Sequence, residues 1–164
     1  MDSWLPFDGA TDGRTIGPMF TPSQPDVRRF FFEAGRKRRS ALPLTPLETI
    51  AADWIEAHPE YTADLAHDEA ALAASRGADS GQESPFLHLS MHLSISEQVQ
   101  IDQPAGIRAA FLALAGRLGS QHAAQHEVME CLGTMLWESQ RSNLPPDGIK
   151  YVDCVRRRAS LAGL

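Results

Sequence analysis

Four of the six histidines fall into two pairs spaced four residues apart, His88 with His92 and His122 with His126. Glu130 extends the second pair by one further step. On a helix, a step of about 100° per residue places each pair on one face and keeps His122, His126 and Glu130 within roughly 80° of arc. Neutral imidazole nitrogens ligate divalent transition metals, and a carboxylate beside them lowers the net positive charge. The spacing therefore predicts a metal site in the interior of a helical bundle. Its ligands are His88, His92, His122, His126 and Glu130, with His58 as an additional ligand or supporting group. Zinc or iron fits such a set best, and manganese and nickel also suit imidazole.

Wheel positions support an inward orientation. With His88 at the origin, His92 falls at about 40°, Ile95 at about −20° and Val99 at about 20°, inside an apolar stripe. With His122 at the origin, His126 falls at about 40°, Met129 at about −20° and Trp137 at about 60°, so this row is also expected to face the core. His58 shares the face of Leu47, Ala51 and Trp54 at the end of its helix. Imidazoles placed in an apolar interior need partners, because an unsatisfied buried polar group costs about 1–3 kcal/mol. A shared metal ion supplies them. The competing reading is a network of hydrogen bonds among these histidines, Glu130 and backbone groups, with no ion. His67 lies among polar residues and is read as a surface group.

Other chemistries are poorly matched. His126-Glu127 opens like the His-Glu-x-x-His motif of zinc proteases, but Glu130 stands where the second histidine is required. The Glu-x-x-His pairs of carboxylate-bridged di-iron bundles are absent. Ser90, Ser94 and Ser96 lie near the histidines without a nucleophile elbow or a phosphate-cradling glycine loop. If the protein is an enzyme, an open coordination position would carry water or oxygen, with Glu130 or Glu127 as ligand or base.

The elements that must position these residues are helical. Thr45-Pro46-Leu47-Glu48 is a capping box with proline at the first helical position. Helices are expected from Ser23 or Gln24 to Arg39, from Pro46 to before Pro59, from Ser84-Pro85 to Gln100, from 102–104 to Gly119, from Ser120 to Arg141, and over 147–158, and the alanine-rich stretch 63–75 could form a further short one. No stretch alternates as a strand would. The expectation is an all-α bundle of about five to six helices, forming one domain over 23–158. Residues 1–22, rich in Gly, Pro and Asp, read as a disordered leader, Gly77 to Glu83 as a loop, and 159–164 as a tail.

The 164 residues, 43% of them apolar, can bury a core without covalent support. Cys131 and Cys154 lack metal-binding or disulfide-framework spacing and read as two reduced thiols, with Cys131 a packed one, in a cytoplasmic protein. Neither a signal peptide nor a membrane span is indicated. The formal charge is −6, yet nine of fifteen basic residues lie at 28–39 and 156–158. Such clusters can attract an anionic partner. The acidic total and the lack of a nucleic-acid module argue against nucleic acid. Cations closing a helix on its negative end explain the clusters as well. A non-enzymatic adaptor using the stretch 28–39 is the alternative function, and a protein partner or homo-oligomer is the partner expected.

Several strings carry a resemblance: Pro43-Leu44-Thr45-Pro46-Leu47-Glu48, His58-Pro59-Glu60-Tyr61, the segment Pro85 to Leu93, Asp102 to Arg108, and His126 to Leu132. Together they closely resemble the bacterial domain of unknown function 1841 family, from about Met19 to Arg158. The resemblance implies a small helical cytosolic protein and carries no reaction. It also implies Met19 as the usual start, with the segment Met1 to Pro18 an extension. The family pattern has a tryptophan near Gly35 and a second histidine just after His-Pro-Glu-Tyr, where this chain has Thr62. The departures imply a less tightly packed first helix and no ligand at Thr62.

Overall fold

A computed structural model describes residues 24–66 and 85–160. The expected leader, Ser23, the stretch 67–84 with His67, and the last four residues lie outside them. The described residues are all-α: α1 (Gln24–Arg39), α2 (Pro46–Glu56), a 3-10 turn (Pro59–Tyr61), α3 (Thr62–Ala66), α4 (Pro85–Ile101), α5 (Ile107–Leu118), α6 (Gln121–Ser142) and α7 (Gly148–Ser160). The chain divides into two compact units, the break falling between Leu93 and Ser94 within α4.

In the first unit, α1 packs on α2. Phe31, Ala34, Ala51, Leu65, Phe86, Leu89 and Leu93 form its buried core. Thr45 caps α2 by accepting from the Glu48 amide at 3.2 Å, one half of the capping box. The Glu48 carboxylate instead takes the Lys37 ammonium, at 2.8 and 3.0 Å, and so ties α2 to α1. Arg38 reaches Asp53 at 2.8 Å and Glu56 at 3.0 Å, and Arg36 pairs with Glu33 on its own helix. The 28–39 basic stretch is thus largely matched by carboxylates of its own unit. A β-carbon on Gly35 would stand 3.6 Å from Ile55 and 3.2 Å from Arg39, so α1 and α2 approach closely there.

In the second unit, α5 packs against both α6 and α7, which also contact each other. Ile107, Phe111, Leu114, Val128, Leu132 and Val155 are buried. α5 starts at Ile107, later than the expected 102–104, because the preceding turn needs its own geometry. Asp102 and Gly106 take positive φ of 53° and 94°, and the Gln103-Pro104 peptide is cis. The Asp102 carboxylate accepts from the Gly106 and Arg108 amides, at 3.2 and 3.0 Å. Arg108 in turn donates to the carbonyls of Val99 and Gln100 at the end of α4. Ser120 caps α6 as expected, accepting from the Ala123 amide at 3.1 Å.

A disulfide joins Cys131 of α6 to Cys154 of α7. The two reduced thiols expected from the sequence are therefore corrected: a sequence separation of 23 forms no recognisable spacing, and only the pairing of the two helices brings the sulfurs together.

Candidate metal centre

His58 follows the last turn of α2, where its amide bonds to the Ile55 carbonyl at 3.1 Å and Pro59 prevents the helix from continuing. The ring folds back along α2, and its Nδ1 lies 2.8 Å from the Trp54 carbonyl oxygen. A carbonyl can only accept, so Nδ1 carries the proton. In the tautomer that carries its single proton there, Nε2 presents a lone pair. His58 is 2% exposed, so this orientation is held inside the unit.

α4 delivers the other two rings. Leu89 and Leu93 anchor one side of the helix in the core, and His92 is buried while His88 is half-buried. The Nε2 atoms of both histidines stand 3.2 Å from Nε2 of His58. Ring centroids lie 4.9 Å apart for His58 and His88, 4.7 Å for His58 and His92, and 4.8 Å for His88 and His92. Two side chains wall the cluster: Trp54 stacks on His92 at 3.9 Å and 15°, and Tyr61 stacks on His58 at 5.3 Å and 5°.

The approach of two Nε2 atoms to that of His58 has a definite chemical meaning. One lone pair on His58 directs one good hydrogen bond, yet two imidazole nitrogens approach it at equal distance. A cation accepts lone pairs from all three rings at once. Zinc–nitrogen bonds of about 2.0–2.1 Å at a tetrahedral angle separate ligand nitrogens by roughly 3.3–3.4 Å, close to the spacing seen here. The Nδ1–H bond from His58 to a backbone carbonyl is also the outer-shell arrangement that orients metal-bound histidines.

Within the first unit, His88 and His92 both approach His58. On α6, His122 and His126 meet edge to face at 4.6 Å, with His122 half-buried and His126 exposed. Glu130 is exposed as well. The apolar face of α6 is carried by Ala124, Val128, Met129, Leu132 and Met135. These centre at roughly −100° on a wheel with His122 at the origin, which leaves His126 and Glu130 about 140° and about 180° away. Glu127 is paired with Arg158 of α7. Trp54 and Tyr61 are the site residues that sequence reasoning missed. Their positions four before and three after His58 were the available signal.

No curated protein and no solved structure matches this chain. A family model described as domain of unknown function (DUF1841) matches residues 23–157. The match takes in α1 through most of α7, including the His58, His88 and His92 cluster, so the chain belongs to the DUF1841 family.

Proposed function

We propose that this protein binds a divalent transition metal, zinc or iron foremost and manganese or nickel next, through Nε2 of His58, His88 and His92. The observation that carries this reading is the approach of two imidazole nitrogens to the single lone pair of a third whose other nitrogen is already committed to Trp54. Three imidazoles leave a tetrahedral ion one further position, the arrangement that water activation requires, so metal-dependent catalysis is compatible with the site. The roles of His122, His126 and Glu130 as further ligands are part of the proposal. A cytoplasmic location is also proposed, for a chain in which no described helix is long and apolar enough to cross a membrane. The adaptor alternative is weakened by the carboxylates that already match Arg36, Lys37 and Arg38.

Elemental analysis of protein purified without a His tag or chelator tests the reading, beside the variants His88→Ala and His122→Ala. Near-stoichiometric metal in the parent, lost in His88→Ala, is expected. Retention in His122→Ala would confine the ligand set to the three histidines. A folded, metal-free parent that binds none of the four metals on titration would overturn the proposal.

A further inference from the structure

The two cysteine residues of the α6–α7 disulfide differ in exposure. Cys131 is 2% exposed, whereas Cys154 is only partly buried. Both border an open cavity of about 330 Å³, within the range of about 300–1,000 Å³ common for small-molecule sites. Lys150 and Arg157 line the same cavity, together with Glu138 and Asp153. Asp153 pairs with Arg156 at 3.3 Å, and no carboxylate among the described residues forms an ion pair with Lys150 or Arg157. With Asp153 matched by Arg156, Lys150 and Arg157 outweigh Glu138 by one positive charge beside the disulfide, which favours the approach of an attacking thiolate.

From this arrangement we infer that Cys154 is a modification site for small anionic thiols and that the Cys131–Cys154 bond is exchangeable in the folded protein. The thiolate of an external thiol attacks Sγ of Cys154 and forms a new S–S bond. The Cys131–Cys154 bond breaks, and its electron pair leaves on Sγ of Cys131, which takes a proton from solvent through the cavity. One disulfide has replaced another, with no net redox change. A second thiolate then attacks the external sulfur of the mixed disulfide, releases Cys154 as a thiolate, and departs as the external disulfide. Two electrons have then passed to the protein. Cys131 is the more buried of the two, so an external thiolate reaches the bond from the Cys154 side. Such a bond suits a reducing compartment, where disulfides are transient or redox-sensing.

The test incubates the full oxidised chain with glutathione under native conditions, quenches with acid, and maps the adduct by peptide mass. A glutathione adduct on Cys154, formed while circular dichroism stays native, is expected. An adduct on Cys131, or no adduct until denaturant unfolds the chain, would overturn the inference. Lys150→Glu with Arg157→Glu should slow the reaction severalfold, and the difference should shrink at high salt. An unchanged rate would remove the role given to the two cations. The parent chain carries the decisive mapping, so the inference stays testable if a variant folds poorly.

Discussion

Metal binding to the folded cluster must appear as stability, because an ion that binds only the native state adds RT ln(1 + [L]/Kd) to the unfolding free energy. At free zinc one hundredfold above Kd, that is about 2.7 kcal/mol. For a chain of this length, about 2–4 °C per kcal/mol translates it into roughly 5–10 °C in Tm. His88→Ala is the informative perturbation. Its ring is the half-buried one of the three, so truncation disturbs the core less than at His58 or His92. It nevertheless removes one of the two Nε2 atoms that approach that of His58. A hundredfold loss of affinity would leave only about 0.4 kcal/mol at the same zinc concentration, about 1 °C. Trp54 supplies the readout, since its indole stacks on His92 at 3.9 Å. Of the three tryptophans, replacing Trp4 and Trp137 with phenylalanine leaves Trp54 alone to report the melt. A zinc-induced shift of equal size in the parent background and His88→Ala would refute the reasoning, as would no shift in either.

Three further outcomes rest on local contacts. Thr45→Ala removes the acceptor of the Glu48 amide and should cost about 1 kcal/mol in denaturant unfolding, whereas Thr45→Ser should cost far less. Tyr151 is buried and donates to the Gln98 amide oxygen at 2.6 Å, and burial pushes its phenol upward, so it stays a donor at neutral pH. Tyr151→Phe should cost about 1–3 kcal/mol by stripping that oxygen of its donor, and adding Gln98→Leu should recover part of the loss. A strictly additive double variant would count against this pairing. Desolvation raises the Glu97 carboxyl above its ordinary value, so the fold favours its protonated form. Stability from this group is therefore present below the unfolded value and falls as pH rises through the window up to the folded value. Glu97→Gln should raise Tm at neutral pH and leave it nearly unchanged below the ordinary carboxylate range.

The helical class and the parts of the site that lie within one unit were legible for local reasons. Thr45-Pro46 announces a helix start through backbone chemistry alone, and the wheel of α4 carries His88 and His92 with the core residues Leu89 and Leu93 nearby in sequence. His58 was legible as a residue sharing the Trp54 face. Features that depend on turns or on distant partners were not. The late start of α5 rests on positive φ at Asp102 and Gly106, and the disulfide requires the pairing of α6 with α7. On α6 the buried face is marked by Ala124, Val128, Leu132 and Met135, which a wheel centred on the histidines does not display.

The exchange between Asp102 and Arg108 couples two helix ends that could otherwise open separately. Asp102 closes α4 yet satisfies amides at the start of α5, and Arg108 belongs to α5 yet satisfies carbonyls at the end of α4. Gly106 completes the crossing, since its φ of 94° is a conformation that residues with a β-carbon rarely adopt. Neither end can fray without releasing the groups that hold the other. In hydrogen exchange, the last turn of α4 and the first of α5 should therefore open as one cooperative unit, and losing either side chain should speed exchange in both.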